Sequence, residues 1–420
     1  MGDVAYFYGE GAPVTVPFWK KMSPAVPEGY NYDWVNADVI LNRMTVKDGR
    51  IILPDGMSYK VLVLPDDVDR LTLTVLRKIR DLVADGAIVS GPKPSKSPSL
   101  SGYPVCDDEE RAIANDVWGP TDGKSVTEHA YGKGKVYWGK SLQEVFDAEK
   151  TAPDFRYTRP GFDTNLVWIH RHVGDDEIYF VSNQNNRVED VLTSFRVDGK
   201  EAEFWHPDTG SIEPAAYKIE AGQTTVPIHF DPSGSVFVVF RKAAGSLVRT
   251  LPAPVTTQLS AVAGPWQVSF PPNWGAPPQI TLDQLVSWTT SSDFGVKYFS
   301  GTATYSKDIE VASDWLGSDG KVVLDLGLVK EIAEISVNGK SVGGILWKPP
   351  FQADVTGVLK TGMNHLEIKI TNLWPNRMIG DLQLGVQKTY TFTDAKFYKA
   401  NSPLMESGLM GPVRILRTSY

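Results

Sequence analysis

Apolar positions in the first third of the chain alternate between strand-like runs and a helical period. Val4 to Tyr8 and Val61 to Leu64 are short apolar runs that predict buried strands. Between the second run and a third at Ala87 to Ser90, apolar residues recur every three or four positions and predict a helix that ends at Gly86. A strand, helix, strand order predicts a right-handed crossover between parallel strands. Residues 1–145 are therefore predicted to form a small, doubly wound α/β domain.

Two further patterns in this part of the chain predict local structure. Residues Trp34 to Met44 have helical spacing, and Asp33 precedes them as a candidate helix cap. The acidic run Asp107 to Glu110 stands before Arg111 to Ala114, where negative charge complements a helix amino terminus. The acidic run is predicted to face solvent.

From about Asp154 onward the helical period disappears, and apolar runs are separated by Gly, Asn, Asp and Pro. Residues 150–243 are predicted to form a β-sandwich, and residues 244–258, which are rich in Pro, Thr and Val, are predicted to be a linker. Residues 259–420 again show strand runs. Asn338 and Gly339 stand between two of these runs, and this dipeptide favours a type I′ hairpin turn. A second β-sandwich of jelly-roll kind is predicted here.

Length, charge and cysteine content limit the number of domains, the kind of partner and the kind of site that this chain can have. At 420 residues the chain is predicted to have several domains, and its formal net charge of −8 argues against a nucleic-acid partner. Its one cysteine, Cys106, excludes an intrachain disulfide and a cysteine-based zinc site. No run is long and apolar enough to predict a membrane span. Met1 to Tyr8 enter an apolar run at once, which predicts no signal peptide in this sequence and suggests that the chain is truncated.

Three short motifs have both a chemical and a structural interpretation, and the structural one is favoured for each. Gly339 to Gly343 has the spacing of a nucleophile elbow, but the serine follows a hairpin turn and no helix comes after it. Gly119 to Ser125 falls one residue short of a phosphate-binding loop. His170 and His172 share one face of a predicted strand, as two metal ligands would, but no third His or Cys lies near them in sequence.

Carboxylates and aromatic residues are the candidates for carbohydrate chemistry. Glycoside hydrolysis needs two carboxylates across the sugar, and spacing in sequence nominates no pair among the candidates Glu10, Asp33, Asp38, Asp381 and Glu406. Aromatic rings cover sugar C–H faces while polar neighbours hold the hydroxyls. The predicted carbohydrate-contact residues are Trp347, Trp374, Asn376, Arg377 and Asp381. For Arg377 and Asp381 an internal ion pair or backbone clamp is the favoured prediction, and a sugar contact is the alternative. The alternative interpretation of the tryptophans is that they are core residues.

Several stretches carry a family resemblance that covers essentially the whole chain. In the first part they are GYNYDWVN at 29–36, LPDGMSY at 53–59 and VLP at 63–65. In the last domain they are GTATY at 301–305, LDLG at 324–327, VNGK at 337–340, GGILWKPPF at 343–351, GMNHL at 362–366, NLWPNRMIGD at 372–381 and SGLMGPV at 407–413. The last two together resemble glycoside hydrolase family 106, whose known activity is α-L-rhamnosidase. The last domain also resembles the galactose-binding-like jelly roll of related hydrolases.

The resemblance implies that this chain is part of a longer enzyme whose catalytic residues lie in another domain. Family members carry their acid and base glutamates in a (β/α)₈ barrel before the matched segment, so no catalytic residue carries over to this chain. The α/β part is similar to an amidotransferase-like domain, but Ser90-Gly91 ends its strand with no cysteine nucleophile. The chain is thus expected to be an accessory portion that supports a rhamnose-cleaving barrel. Rhamnose-containing carbohydrate and the parent's barrel are the expected partners.

The family's other properties belong to the presumed parent enzyme. An inverting mechanism, calcium dependence and a periplasmic or secreted location are implied for that parent, whereas this chain itself shows no cofactor motif. The alternative hypothesis is a free-standing carbohydrate-binding protein without catalysis. A third interpretation, an unrelated hydrolase, would require an unexpected carboxylate pair in a pocket.

Overall fold

A computed structural model describes residues 1–11, 22–317, 320–394 and 396–419. The chain divides into two compact units, of which the first comprises Met1–Asn185, Glu189–Phe230 and Gly234–Thr250, and the second Asn186–Val188, Asp231–Ser233 and Leu251–Tyr420. The chain is mostly β-structure with few helices, so the predicted multi-domain, β-rich organisation is confirmed. The boundaries drawn from sequence at 145, 150, 243 and 259 stay a prediction.

The first unit begins with a six-stranded sheet in which five strands are parallel. Its order is β2-β1-β6-β7-β9-β8, and β8 is the antiparallel edge strand. The strands of this sheet are β1 (Val4–Phe7), β2 (Tyr32–Val35), β6 (Val61–Val63), β7 (Ile88–Ser90), β8 (Glu128–Tyr131) and β9 (Gly134–Tyr137). A small antiparallel sheet is formed by β3 (Thr45–Lys47), β4 (Arg50–Ile52) and β5 (Ser58–Tyr59). The helices are α1 (Ala37–Arg43), α2 (Leu73–Asp85), α3 (Val105–Trp118) and α4 (Leu142–Ala148).

The parallel sheet is buried on both faces, as the alternation along β1 shows. Ala5 and Phe7 pack into a cluster with apolar residues of α1, α2 and α3. Val4 and Tyr6 point the other way, into a cluster with Phe146 of α4. Because successive strand residues face opposite sides, helices must cover both faces of such an apolar strand. The predicted strands at the start of the chain and the predicted helix that ends at Gly86 are confirmed.

The helix predicted over Trp34 to Met44 is shorter and begins later. Tyr32–Val35 instead forms a strand parallel to β1, and the helix runs over Ala37–Arg43. Asn36, not Asp33, caps it, with its Oδ1 accepting from the Val39 amide at 2.9 Å. The β-branched and aromatic residues before Asn36 suit a strand, and pairing with β1 decides the outcome.

The acidic run at the start of α3 does not all face solvent. Asp107 and Asp108 lie in the first turn, but Glu110 is fully buried. Glu110 stands four residues after the buried Cys106, so the helical period places both on the inner face with Ile113. The predicted solvated position is therefore wrong for Glu110, because its place on the helix outweighs the charge of its neighbours.

The rest of the first unit is a sandwich of two antiparallel five-stranded sheets. Their orders are β10-β13-β17-β16-β19 and β11-β12-β18-β14-β15. The strands are β10 (Phe155–Tyr157), β11 (Leu166–Val173), β12 (Asp176–Asn183), β13 (Glu189–Phe195), β14 (Lys200–Trp205), β15 (Ile212–Pro214), β16 (Tyr217–Glu220), β17 (Gln223–Phe230), β18 (Ser235–Ala243) and β19 (Val248–Arg249). Alternate residues of both sheets meet in one core that includes Tyr179, Phe195 and Phe240.

A buried ionic network connects this sandwich to the start of the chain. The Arg196 guanidinium donates to both carboxylate oxygens of Asp3 at 3.0 and 3.1 Å and lies 3.6 Å from Asp154. Asp154 also accepts from the Tyr179 hydroxyl and contacts His170, each at 2.7 Å. These groups compensate one another's charge, as burial of ionised side chains requires.

The second unit is antiparallel throughout its two main sheets. A four-stranded sheet has the order β20-β31-β24-β28, and a six-stranded sheet has the order β22-β21-β23-β29-β26-β27. The strands are β20 (Val255–Ala261), β21 (Trp266–Ser269), β22 (Gln279–Leu282), β23 (Thr302–Val311), β24 (Lys321–Asp325), β25 (Leu328–Lys330), β26 (Ile332–Val337), β27 (Lys340–Leu346), β28 (Gln352–Asp354), β29 (Gly362–Thr371), β30 (Gly408–Gly411) and β31 (Arg414–Ser419). The helices are α5 (Phe294–Lys297) and α6 (Pro375–Asp381). One apolar core takes residues from both sheets, among them Tyr305 and Leu324.

The predicted hairpin is confirmed, and the predicted linker contains strands. Asn338 and Gly339 have φ of 51° and 78° between β26 and β27, as a type I′ turn requires. Within 244–258, Val248–Arg249 pairs with β16, and β20 begins at Val255. Composition favoured a linker here, but strand pairing in each compact unit orders parts of the segment.

Candidate functional site

The two motifs that carry the family resemblance meet inside the second unit. The Ser407 hydroxyl accepts from the side-chain amides of Asn372 at 3.1 Å and Asn376 at 2.9 Å. Asn376 also donates to the Met405 carbonyl at 2.6 Å and accepts from the Met405 amide at 2.8 Å. Asn372 accepts from the Gly301 amide at 2.9 Å. The loop after β29 and the segment before β30 are therefore held together by buried amide side chains.

Gly408 lies against the aromatic core beneath these amides. The Trp288 indole donates to the Tyr305 hydroxyl at 2.6 Å, and that hydroxyl also accepts from the Leu409 amide at 3.1 Å. A Cβ on Gly408 would lie 2.7 Å from Nε1 of Trp288 and 2.8 Å from the Tyr305 hydroxyl. Burial raises the pKa of Tyr305 to about 12, so this hydroxyl stays protonated. The close approach explains why this position holds glycine.

Helix α6 carries a buried ion pair. Pro375 occupies its first turn, where a missing N–H costs nothing. Nε of Arg377 donates to Oδ1 of Asp381 at 2.9 Å, and the two side chains are 2% and 6% exposed. The second oxygen of Asp381 accepts from the amides of Tyr390 and Thr391 and from the Thr391 hydroxyl at 2.7–2.8 Å. The predicted internal ion pair is confirmed, and it also fixes the segment around residue 390.

A cavity of about 330 Å³ opens beside Arg377. Its walls include Phe294 and Tyr390, whose ring centroids lie 5.9 and 4.9 Å from the guanidinium carbon. Nη2 of Arg377 is buried and has no hydrogen-bond partner among the described residues. The remaining lining residues are Gly275, Gly295, Leu384, Gly385, Val386, Gln387 and Lys388. The cavity thus combines aromatic walls with a cationic floor, a combination suited to a polar ring-shaped ligand.

The two predicted tryptophans are exposed at the same end of the six-stranded sheet. Trp347 is 61% and Trp374 is 62% exposed. Strands β27 and β29 are both antiparallel to β26, so they run in the same direction, and both tryptophans come just after the strand ends. With β26 between them, the two strand ends are roughly 10 Å apart. The interpretation of these two tryptophans as core residues is wrong, since the core is filled by other side chains.

Of the five predicted contact residues, the structure brings together Arg377 and Asp381 and directs Asn376 elsewhere. The Asn376 amide is buried and faces Met405 and Ser407. The carbohydrate-contact role of the five residues stays a prediction. Sequence reasoning missed Phe294, Tyr390 and Lys388 at the cavity. No local signal identifies them, because α5 and the segment after α6 are distant in sequence and converge only in the fold.

Comparison with known proteins places these features in a family. The sequence profile of glycoside hydrolase family 106, described as alpha-L-rhamnosidase, matches residues 1–219, which is just over half of the chain. The chain belongs to this family. A solved structure of a rhamnosidase from Novosphingobium sp. PP1Y is 37% identical with a TM-score of 0.88, and the match covers 99% of this chain and 39% of that protein.

A curated relative gives a more distant match to this family 106 chain. A protein of Formosa agariphila named "Putative beta-glucuronidase" is 24% identical over 661 aligned positions, which cover 99% of this chain and 55% of the relative. The chain therefore spans about four tenths of the solved rhamnosidase and about half of the curated relative.

The carboxylates considered as catalytic candidates in this family 106 chain have separate local partners. Both oxygens of Glu10 bind Thr72, Asp33 accepts from the Tyr59 hydroxyl at 3.1 Å, and Asp38 accepts from Asn42 at 2.7 Å. Glu406 is exposed and lies 3.8 Å from Lys330, and Asp381 belongs to the ion pair of α6. Each of these carboxylates therefore has its own local hydrogen-bond or ion-pair partner, and no two of them share one.

Potential metal ligands were compared across the part of the chain that the structure describes. In that part, no group of three or more His, Cys, Asp or Glu side chains is arranged to hold a metal ion. Both ring nitrogens of His170 face carboxylates, of Asp154 and Glu177, and His172 also binds Glu177. None of the described helices is long and apolar enough to cross a membrane.

Proposed function

We propose that this chain forms the accessory, non-catalytic portion of an α-L-rhamnosidase-type glycoside hydrolase that acts on rhamnosylated glycans. The observation that carries the proposal is the match to the solved rhamnosidase, which covers nearly all of this chain and 39% of that protein. The larger part of that enzyme has no counterpart in the matched residues. The parent enzyme is proposed to be periplasmic or secreted.

Sheet topology supports an accessory role. The parallel sheet of the first unit is open, with β2 and the antiparallel β8 at its edges. A (β/α)₈ barrel needs eight parallel strands in closed order, and none of the described sheets has them. We propose that the open α/β layer is amidotransferase-like and that the second unit is a galactose-binding-like jelly roll, in agreement with its two antiparallel sheets around one core.

The carboxylates support the same proposal from chemistry. Hydrolysis of a glycoside needs two carboxylates about 5–9.5 Å apart across the sugar, with pKa values set for an acid and a base or nucleophile. The five candidates instead bind Thr72, Tyr59, Asn42, Arg377 and Lys330, each in a different place. The acid and base are proposed to lie on a partner barrel of the parent enzyme.

The second candidate function, carbohydrate binding without catalysis, is favoured by one observation. Trp347 and Trp374 are both exposed at one end of a sheet, where flat aromatic faces are available to sugar rings. A rhamnosyl ligand would bind there through C–H contacts to the indoles. The two functions are compatible if this surface presents substrate to the barrel.

An assay with an aryl α-L-rhamnoside tests the accessory role. The chain alone is expected to release no aryl alcohol above the uncatalysed rate, and the full parent enzyme is expected to hydrolyse the substrate. Hydrolysis by the chain alone, abolished by changing one of its own carboxylates to the amide, would show the proposal to be wrong.

Calorimetry with rhamnosylated oligosaccharides tests the binding role. Saturable heat at millimolar ligand is expected for the chain and not for its Trp347→Ala, Trp374→Ala double variant. The variant is expected to keep its fold, because both side chains are exposed. A chain that shows no saturable heat has no such binding surface, and only the scaffold role remains.

A further inference from the structure

We propose that the cavity beside Arg377 binds an anionic sugar, a pyranose with a carboxylate or a sulfate ester, next to the surface that carries Trp374. The site is independent of the cleaved bond and of the rhamnosyl unit itself. The choice of a sugar as ligand rests on the proposed function. The choice of negative charge rests on the residues of the cavity.

The first argument is the unsatisfied guanidinium. Arg377 is 2% exposed, and its Nε is occupied by Asp381. Its Nη2 has no hydrogen-bond partner among the described residues, although the residue lines the cavity. A buried N–H group without an acceptor is unfavourable, and the cost is larger for a charged donor. The guanidinium that borders the cavity is therefore incompletely hydrogen-bonded, and its charge attracts an anion there.

The second argument is the balance of charge around the cavity. Arg377 and Lys388 are cations on its lining, and none of the lining residues that the structure describes is an Asp or Glu. Asp381 pairs with Nε of Arg377, whereas Lys388 has no acidic residue beside it among the described lining residues. Lys388 lies 4.7 Å from the Tyr390 ring centroid, within the cation–π range. An anion therefore suits the cavity better than a neutral or cationic group does.

The third argument is the shape of the walls. Phe294 and Tyr390 both lie beside the cavity, and Trp274 stacks on Tyr390 with ring centroids 6.4 Å apart and an angle of 24° between planes. Phe294 and Trp274 are 46% and 41% exposed, so parts of both rings face solvent. Aromatic faces cover the C–H face of a sugar ring. A volume of about 330 Å³ lies at the small end of ligand pockets, which suits a single sugar residue.

The segment around Tyr390, which forms one wall of the cavity, is fixed by hydrogen bonds to Asp381. Asp381 binds the amides of Tyr390 and Thr391, which fixes the ring of Tyr390 beside Arg377. The wall and the cationic floor therefore depend on one carboxylate. Such preorganisation lowers the ordering cost of binding.

Calorimetric titration of the whole chain with four small probes tests the proposal. D-Glucuronate and D-glucose 6-sulfate are expected to bind with saturable heat at millimolar concentration. D-Glucose and the methyl ester of D-glucuronate keep the ring without the charge and are expected to bind roughly tenfold more weakly. Binding of the carboxylate alone, or of the sulfate ester alone, identifies the anion that the cavity takes.

Lys388→Gln is the decisive variant, because Lys388 is exposed and its change should leave the fold intact. It is expected to weaken glucuronate binding roughly three- to tenfold. Lys340→Gln removes the same charge from an exposed lysine in the β26–β27 hairpin and is the matched control.

Three results would overturn the site: equal binding of glucose and glucuronate, no saturation with either anion, or an equal effect of the Lys388 and Lys340 changes. These outcomes are separate from those of the proposed function. A parent enzyme that hydrolyses rhamnosides while this chain ignores anionic sugars contradicts the anion site alone. Anion binding by a chain whose full parent lacks rhamnosidase activity contradicts the proposed function alone.

Discussion

Arg377 and Asp381 stand one helical turn apart on α6 and form a 2.9 Å hydrogen bond that is almost completely shielded from water. Each of the two side chains also contacts a different part of the second unit. Asp381 orders the segment at Tyr390 and Thr391, whereas Arg377 reaches the aromatic cavity. The pair thus stabilises the loop and leaves part of the guanidinium for other contacts.

Arg377→Ala is expected to lower the free energy of unfolding of the second unit by about 3–5 kcal/mol, because it leaves the Asp381 carboxylate buried without its cation. Thermal unfolding followed by calorimetry measures the change. Arg80→Ala removes a partner from an exposed pair with Asp81 and should cost less than about 1 kcal/mol. Unchanged stability of Arg377→Ala together with lost saccharide affinity would assign Arg377 to ligand recognition alone.

His170 predicts a pH dependence for the first unit. Burial lowers the pKa of its imidazole, but hydrogen bonds from both ring nitrogens to Asp154 and Glu177 outweigh burial and raise the pKa above its usual value. The protonated ring therefore stabilises the fold below about pH 6.5, and this contribution is lost as pH rises through the higher folded pKa.

Denaturant unfolding between pH 6 and 9 should show this loss of stability, and His170→Gln should flatten the profile and lower stability at pH 6 by roughly 3 kcal/mol. His229→Gln is the matched control, since His229 pairs with Asp190 at an exposed position. A profile in which both variants behave like the unaltered chain would mean that His170 is not charged in the fold.

Glu110 predicts the opposite kind of titration. Burial raises the pKa of its carboxyl to about 7, and the backbone of Leu71 offsets this only in part. Neither carboxylate oxygen makes a hydrogen bond of normal geometry with the described residues. The unfolded chain releases this proton near pH 4.5, so stability falls as pH rises from about 4.5 to about 7 and stays lower above that range.

Glu110→Met is therefore expected to stabilise the first unit at pH 8 by about 1–3 kcal/mol and to change little at pH 4.5. Denaturant midpoints at the two pH values measure the difference. Glu109→Met alters the neighbouring residue, which is exposed and pairs with Arg77, and should show no such pH dependence. Equal effects of Glu110→Met at both pH values would exclude an ionised buried carboxylate.

Gly408 predicts a steric effect with a matched control. Gly408→Ala places a methyl group 2.7–2.8 Å from Trp288 and Tyr305 at a φ of +101°, and is expected to cost roughly 2–4 kcal/mol. Gly362→Ala has a similar φ of +87°, but no atom of the described residues lies within 4 Å of the new Cβ, and it should cost only about 1 kcal/mol. Similar melting temperatures for the two variants would show that the close approach is absent.

Local patterns predicted the parts of the fold that depend on neighbours in sequence. The period of α2 and its end at Gly86 follow from residues within one helix, and the Asn338-Gly339 turn follows from two residues. Trp34 lies in a strand and not in the predicted helix, because pairing with β1, more than twenty residues earlier, decides its conformation. Patterns cannot include such distant partners.

The candidate site shows the same limit for side chains. The attraction between Arg377 and Asp381 was predictable from a spacing of four residues. The cavity was not, because Phe294 and Tyr390 come from segments almost a hundred residues apart. An asparagine such as Asn376 could bind a sugar or take part in a buried hydrogen-bond network. Only its contacts with Met405 and Ser407 show that it belongs to the network.

The contact between Asp3 and Arg196 has a consequence for the order in which the protein is made. The two residues are 193 positions apart, and at 5–20 residues per second the ribosome needs roughly 10–40 s to travel from one codon to the other. During that interval the Asp3 carboxylate lacks the cation that compensates it in the finished fold. Strand β1 therefore cannot reach its final environment co-translationally until the first sandwich has emerged from the exit tunnel.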